Sequence, residues 1–478
     1  MEPTRAALPI GSMLPLAPPQ NPAHTPERGF RPAGYEVLTT TVLRASTAVG
    51  VFVLAAGSAV GLAPAASAEP ATPVLYPTAS SARPAVGLGF DTCTAPSLAA
   101  LQAWDASPYT VVNIYFGGIN RGCSQPNLTS TWVVEAARMA WRLLPTYMGR
   151  QPFCMFGTKP YRYTADDATS YGTSEANDAV AKAKALGIRP GSALYADVEH
   201  YDRTASGCIT AVRRYVSAWT KTVHVNGYLA GVYVHQDSGL RDLSAVYNST
   251  SYARPDAVWM ARWDNNSALT NWPTAPNTQW SLHQRAKQYR GDHTETWGGV
   301  TINIDNDSLD APVATVALPY RVTSSTNLNA RSGPSTSSPV VATYAPGATV
   351  HVMCQTSSQR VGTTPVWDRL ANGAWVSDYY VSTPSKTTYS SPLQRCSYPG
   401  QVTSTTPLNA RTGPGTSYAT TGAPLQPGAL AWVTCQRSGS TVGTTSVWNR
   451  MTDGRWVSDY YVSNRSNTTY SAPVPRCS

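Results

Sequence analysis

Several motifs that define common enzyme classes are missing from this 478-residue chain. It has no C-x-x-C pair of the kind found in zinc sites, no H-E-x-x-H helix, no G-x-S-x-G elbow and no Walker loop. The GLG at 87–89 is not a dinucleotide fingerprint, because Thr92 stands where the third glycine would be. We therefore expect neither a metal ion nor an organic cofactor.

The chain also lacks an apolar run of the about 20 residues that a membrane span needs. The charge-free stretch after Arg44 has a short apolar part, 47–63, and ends in Ala66-Ser67-Ala68, an A-x-A cleavage pattern. We predict that 1–68 is a signal peptide with a long N-terminal region, and that the protein contacts the membrane only during export. A single membrane anchor is the alternative, which the short, Gly-containing run disfavours.

Acidic charge is scarce in the last third of the chain. Residues 320–478 contain 12 Lys and Arg against 4 Asp and Glu, whereas 69–319 contain 20 of each. A basic segment favours an anionic partner. Because export is predicted and no nucleic-acid-binding motif is present, an anionic cell envelope is the better candidate than nucleic acid.

All eight cysteines follow the predicted cleavage site, and an even number in an exported chain indicates disulfides. Cys354–Cys396 and Cys435–Cys477 have the same spacing, which predicts one bridge in each of two repeats. The four other cysteines allow three pairings, among which we favour Cys93–Cys123 and Cys154–Cys208.

Strand and helix patterns alternate after a flexible lead-in at 69–84. Their number and order over 85–314 predict a (β/α)8 barrel. The helix candidates are 129–139, starting at Thr129 as N-cap, 174–186 and 209–225. The strand candidates are 85–91, 110–116, 141–147, 192–199, 227–234, 257–263, 279–289 and 299–305.

An internal repeat follows the short linker at 310–319. LNARSGP at 328–334 recurs almost unchanged at 408–414, and WVSDYYVS at 375–382 recurs at 456–463. The repeated unit is rich in Val, Thr, Tyr and turn residues and shows no helical period. It predicts two small all-β domains, repeat 1 (320–398) and repeat 2 (400–478).

The segment 193–201, ALYADVEHY, is an apolar strand that ends in two acids, Asp197 and Glu199. Side chains at i and i+2 on a strand share a face. In a (β/α)8 barrel the carboxyl ends of the strands carry the chemistry, and a pair of carboxyl groups is what glycoside hydrolysis requires.

Motifs spread over 86–314 resemble those of the secreted actinobacterial glycoside-hydrolase-like barrels, long known as a domain of unknown function. The motifs are GFDTC (89–93), GGINRGC (117–123), LYADVEHY (194–201), ARWD (261–264) and INIDND (302–307). The family-25 lysozymes are similar more distantly, and the repeats resemble bacterial SH3 domains. The resemblance implies an α/β fold: a (β/α)8 TIM-like barrel followed by two small all-β SH3-like barrels.

The same resemblance implies a catalytic set at the ends of strands one, four and eight: Asp91, Asp197, Glu199 and Asp305. Glu199 is the expected general acid, because burial and neighbouring Asp charges raise a carboxyl pKa; a salt bridge is its structural alternative. Asp197 would act as nucleophile or orient a substrate N-acetyl group. Asp91 would bind substrate, tune Glu199 or cap a helix, and Asp305 is favoured over Asp307.

Four aromatic residues near strand ends are candidates for stacking on sugar rings: Tyr115, Tyr147, Tyr233 and Trp263. Packing in the core or rim is the alternative for each. A metal site built from the acids with His200, His235 and His283 is disfavoured, since these residues have no recognised metal-ligand spacing.

Together these observations predict a secreted, wall-associated, muramidase-like glycosidase that acts on peptidoglycan or another wall polysaccharide. The SH3-like repeats would bind wall peptide or an anionic polymer. The alternative is a non-catalytic wall-binding or remodelling protein with a degenerate barrel.

Overall fold

The computed structural model describes residues 81–82, 84–463 and 466–477. The predicted signal peptide and most of the lead-in lie outside these residues. Within these ranges no helix combines the length and the apolar character needed to cross a membrane.

Eight strands close into a barrel, and each of the eight predicted strands corresponds to one of them. The strands up to residue 311 are β1 (Ser81–Ala82), β2 (Ala85–Asp91), β3 (Tyr109–Gly117), β4 (Arg142–Tyr147), β5 (Gln151–Pro152), β6 (Arg162–Tyr163), β7 (Ala193–Val198), β8 (Leu229–His235), β9 (Ala257–Ala261), β10 (Arg285–Trp297) and β11 (Val300–Ala311). Around the barrel the order is β10-β11-β2-β3-β4-β7-β8-β9, while β5 and β6 pair with each other.

The barrel departs from eight repeated β/α units at its end. Strand β11 is antiparallel to both neighbours, β10 and β2, whereas the other barrel pairs are parallel. Gly298 and Gly299 form the turn before β11 with φ of +55° and +81°, a conformation that favours glycine in two-residue hairpins. A hairpin this tight leaves no room for a helix, so the expected regular alternation is wrong here.

Helices lie between the barrel strands from β2 to β9. They are α1 (Leu98–Trp104), α2 (Ser130–Arg138), α3 (Ala168–Ala185), α4 (Cys208–Val225) and the single turn α5 (Arg241–Ser244), which follows a π-helical turn at Gln236–Leu240. Thr129 caps α2 as predicted, its hydroxyl accepting from the Trp132 amide at 3.1 Å. Helix α3 begins at Ala168, before the predicted Ser174. Gly172 lets this helix pack closely against α4, since a Cβ there would lie 2.5 Å from the Tyr215 carbonyl oxygen.

The repeats form two further sheets, as their all-β pattern predicts. The strands are β12 (Leu318–Arg321), β13 (Leu328–Arg331), β14 (Val340–Tyr344), β15 (Thr349–Val361), β16 (Thr364–Leu370), β17 (Trp375–Ser377), β18 (Cys396–Gln401), β19 (Leu430–Val442), β20 (Thr445–Met451) and β21 (Trp456–Ser458), with 3-10 turns at Asp378–Tyr380 and Asp459–Tyr461. One sheet has the order β12-β15-β16-β17-β13-β14, and the other has β1-β18-β19-β20-β21.

Repeat 2 closes the floor of the barrel. Leu430 and Trp432 on β19 are 1% and 2% exposed and join the inward side chains at the N-terminal ends of the barrel strands, among them Tyr195 and Trp259. Repeat 1 has Thr349 and His351 at the matching positions, and both are exposed. The difference between the repeats therefore explains why repeat 2 occupies this position.

The eight cysteines form the four predicted disulfides, Cys93–Cys123, Cys154–Cys208, Cys354–Cys396 and Cys435–Cys477. The first joins the loops after β2 and β3, and the second ties the chain after β5 to α4. Both lie at the end of the barrel where the strand-end acids are found.

The two repeats differ at one buried polar position. In repeat 1 the Gln355 amide donates to Asp368 at 2.8 Å and Asp378 at 3.0 Å, and both carboxyl groups are fully buried. In repeat 2, Asn449 replaces Asp368 and donates to Asp459 at 2.9 Å. Burial and the Asp378 charge hold the pKa of Asp368 well above its usual value. Burial also raises the pKa of Asp378, and Thr383 and Lys386 oppose that shift.

We expect Asp368→Asn to stabilise the protein near neutral pH, by about 1–3 kcal/mol. The raised pKa means that the folded state binds the proton more tightly than the unfolded state. The stability it gives is therefore full below the unfolded pKa and is lost as the pH rises towards the folded pKa. Thermal unfolding at pH 5 and pH 8 should show the gain of the variant growing with pH. The reciprocal variant Asn449→Asp should become less stable, relative to the parent, as the pH rises. If the stabilities of the two variants changed in the same way with pH, the raised pKa of Asp368 would be contradicted.

Candidate active site

Acids from three strands meet inside the barrel, near the carboxyl ends of β2 and β7. Asp305 lies in the middle of the antiparallel strand β11, so the expectation that it ends its strand is wrong. Asp91 is the last residue of β2 and lies directly opposite Asp305 in the antiparallel ladder with β11. Asp307 is two residues further along the same face of β11, and Asp197 is the inward residue near the end of β7. Directly opposed residues in such a ladder have Cβ atoms about 5 Å apart, so the charges interact strongly.

Gln288 on β10 connects this group of acids. Its amide nitrogen donates to Asp91 at 2.8 Å and to Asp305 at 3.0 Å. Its amide oxygen accepts from the Tyr233 hydroxyl at 3.0 Å and from the Trp263 indole at 2.9 Å. Gln288 was not among the predicted site residues, although its place on the inward face of a predicted strand was a usable signal.

Asp91 is 4% exposed and is held by two donors, Gln288 and the Tyr115 hydroxyl at 3.3 Å. Burial, followed by the charge of Asp305, raises the pKa of Asp91 to about 8. The donors oppose this shift but do not cancel it. The Asp91 carboxyl group is therefore mostly protonated near neutral pH. Its hydrogen bonds are made within the site, so it does not cap a helix.

Asp197 and Glu199 are positioned by Gln151, which comes from the segment after β4. The Gln151 amide nitrogen donates to the Asp197 carbonyl at 2.8 Å, and its amide oxygen accepts from the Glu199 amide at 2.9 Å. Asp197 is 2% exposed, and its Oδ1 has no hydrogen-bond partner among the described residues. Burial, followed by the Glu199 charge, holds the pKa of Asp197 well above its usual value.

Glu199 follows the last residue of β7 and is partly exposed. Burial raises its pKa, Asp305 adds to this effect and Lys159 opposes it. Within the described ranges no arginine or lysine forms an ion pair with Glu199, so the salt-bridge alternative fails. A carboxyl group that is partly exposed, has no ion-pair partner and is easier to protonate than usual can donate a proton to a ligand.

The two acids of β11 differ in exposure. Asp305 is partly exposed and accepts from the Asp292 amide and from Gln288. Asp307 is 1% exposed and accepts from the Trp259 indole at 2.9 Å. Burial raises the pKa of both, that of Asp307 well above its usual value. Of these two acids, Asp305 is therefore the more accessible to a ligand.

The four predicted sugar-binding aromatics separate into two groups. Tyr115 and Tyr233 bond to the site through Asp91 and Gln288, and Trp263 is 61% exposed at the barrel mouth. The prediction of a sugar-binding role for Tyr147 is wrong. Its side chain points outwards, donates to Asp178 on α3 at 2.7 Å and packs against Trp219 of α4. Its neighbour Thr146 has the inward parity, so a placement near the strand end did not settle which way the ring faces.

The histidines named for the disfavoured metal site do not converge. His200 and His235 stack on each other, whereas His283 bonds to Asp310. In 84–463 and 466–477 no three side chains of metal-ligating type are grouped so that they could hold an ion. The arrangement instead offers carboxyl groups of graded burial, all with raised pKa values, around a partly exposed glutamate.

Comparison with known proteins identifies the barrel. Residues 102–309 match the model of the Rv2525c-like, glycoside hydrolase-like domain, which confirms the resemblance for this part of the chain. No curated protein matches the chain.

Several solved structures are similar to it, with TM-scores below 0.5. An uncharacterized protein of B. stearothermophilus has 16% identity and a TM-score of 0.33, covering 46% of this chain and 95% of that one. The Tat-secreted protein Rv2525c of Mycobacterium tuberculosis has 13% identity and a TM-score of 0.34, covering 47% and 96%. The spore cortex lytic enzyme SleM of Clostridium perfringens has 12% identity and a TM-score of 0.32, covering 66% and 92%.

Proposed function

We propose that the barrel, a glycoside hydrolase-like domain of the Rv2525c-like family, hydrolyses peptidoglycan or a related wall polysaccharide outside the cell. The observation that carries this proposal is the partly exposed, unpaired Glu199 beside several buried carboxyl groups. The four disulfides and the signal pattern support secretion. We classify the barrel as TIM-like, with the changed final strand, and the repeats as SH3-like.

In this proposal Glu199 protonates the leaving glycosidic oxygen. Asp305, held by Gln288 and the Asp292 amide, supplies the anion that stabilises positive charge on the sugar. The burial of Asp197 disfavours direct attack by it and favours the second of its expected roles, orienting the substrate. Asp91 and Asp307 are protonated in this proposal, which reduces the electrostatic repulsion between the neighbouring carboxyl groups.

We assign the repeats to wall binding. Repeat 2 has a groove of about 630 Å³ lined by Trp448, Tyr460 and Tyr461 with several hydroxyl and amide side chains. Arg411 also lines it, but its guanidinium donates to the carbonyl oxygens of Thr416 and Tyr418. Because the rest of the lining consists mainly of aromatic, hydroxyl and amide side chains, we favour a wall peptide as the ligand of this groove.

A zymogram on purified peptidoglycan tests the hydrolase proposal. We expect a cleared zone from the parent and none from Asp197→Asn/Glu199→Gln. No zone from either protein, with both still binding the sacculus, would favour the non-catalytic wall-binding alternative. Equal zones from both would show that these two acids do not carry the reaction.

A further inference from the structure

Three aromatic rings form a ladder at the mouth of the barrel, made of Phe156, His200 and His235. The His200 and His235 rings stack with centroids 3.8 Å apart and planes 19° apart. Phe156 packs edge-on against His200 at 4.9 Å, and it is 55% exposed. Neither the catalytic proposal nor the aromatic residues predicted from the sequence include this ladder.

The ladder is held rigidly. The Phe156 amide donates to the His200 carbonyl at 2.9 Å, and the Asp202 amide donates to the Cys154 carbonyl at 3.0 Å. The disulfide Cys154–Cys208 then ties this segment to α4. A surface fixed in this way loses little conformational freedom when a ligand binds, which favours affinity.

The ladder lies beside the group of acids. His200 directly follows Glu199, and His235 ends β8, the strand paired in parallel with β7. Burial lowers the pKa of both histidines, and His200 lowers that of His235 further, while Asp237 opposes both shifts. The rings are therefore neutral near neutral pH, and the nearest charge that acts on them is negative, which disfavours an anionic ligand.

We propose that this ladder is a stacking platform for a neutral pyranose ring of the glycan chain, next to the ring whose bond Glu199 protonates. Aromatic faces bind the apolar C–H face of a sugar while the sugar hydroxyls stay in water. The proposal rests on the proposed hydrolase function for the course of the chain, but its binding step can be measured without turnover.

Binding of a β-1,4-linked N-acetylglucosamine tetramer to the full chain with Glu199→Gln tests the platform by calorimetry. We expect Phe156→Ala in this background to weaken binding about tenfold, equivalent to about 1.4 kcal/mol, and Phe156→Trp to restore it. Phe153→Ala is the matched control, because Phe153 is a 41% exposed phenylalanine in the same segment that lies outside the ladder. The imidazole NMR signals of His200 and His235 should shift on titration.

The platform is refuted if the tetramer fails to bind, if Phe156→Ala binds as tightly as its parent, or if Phe153→Ala loses as much affinity. Hydrolysis is scored separately with proteins that keep Glu199. Hydrolysis by the parent with an unchanged KM in Phe156→Ala would refute the platform and leave the hydrolase proposal intact. Binding that depends on the ladder, without hydrolysis by the parent, would support the platform and refute the hydrolase proposal.

Discussion

We expect Glu199→Gln to lower the hydrolysis rate by about 100- to 10,000-fold, the usual contribution of a general acid. Glutamine has nearly the same shape and keeps the backbone bond from the Glu199 position to Gln151. It cannot deliver a proton, so kcat should fall while the affinity for the glycan changes little. Release of new reducing ends from purified peptidoglycan measures the effect.

Glu135→Gln is the control for this substitution. Glu135 lies on the surface of α2, where it pairs with Arg138, and its loss should leave the rate unchanged. If Glu199→Gln keeps more than about half of the parental rate, the proton comes from another group and the assignment of Glu199 fails. Loss of glycan binding together with the rate would point instead to damage of the site.

Trp432→Ala should destabilise the folded protein by about 3–5 kcal/mol, the usual cost of removing a buried tryptophan. Trp432 is 2% exposed, packs with the side chains of the barrel floor and donates to the Leu282 carbonyl at 3.4 Å. Its removal would leave a cavity where repeat 2 meets the barrel. Denaturant-induced unfolding followed by tryptophan fluorescence and circular dichroism measures the change.

His351→Ala provides the matched control, since His351 occupies the same position in repeat 1 and is exposed. Its effect should stay within about 0.5 kcal/mol. Similar losses from both substitutions would mean that the position matters within each repeat and not at the barrel floor. A stable Trp432→Ala protein would show that repeat 2 is merely tethered to the barrel.

The strands could be located from the sequence because burial and alternation are local signals. The ALYADVEHY pattern located strand β7 with Asp197 near its end, although Glu199 lies just beyond the strand, and the cysteine spacing predicted the two repeat disulfides. The Gly298-Gly299 pair is also a local signal, of a tight hairpin, and it was not used in predicting a regular (β/α)8 barrel. The resulting hairpin reverses β11 while leaving Asp305 opposite Asp91.

Other features depend on contacts between distant segments, which a single sequence does not display. Gln151 and Gln288 bond to acids many residues away, and only the inward position of Gln288 on a predicted strand is visible in the sequence. Tyr147 looked like a strand-end aromatic, but its parity turns it towards the helices. The burial of Trp432 against the barrel could have been predicted, since repeat 1 has a polar residue at the position where repeat 2 has tryptophan.

The central claim is that a group of buried acids retains protons near neutral pH beside an accessible Glu199. Titration of the 13C-labelled Asp and Glu carboxyl groups by NMR tests it most directly. We predict a pKa of about 8 for Asp91 and a raised pKa for Glu199, and a lower pKa for Asp197 once Glu199→Gln removes the neighbouring charge. The account is contradicted if Asp91, Asp197 and Glu199 all titrate at about pH 4, as exposed carboxyl groups do.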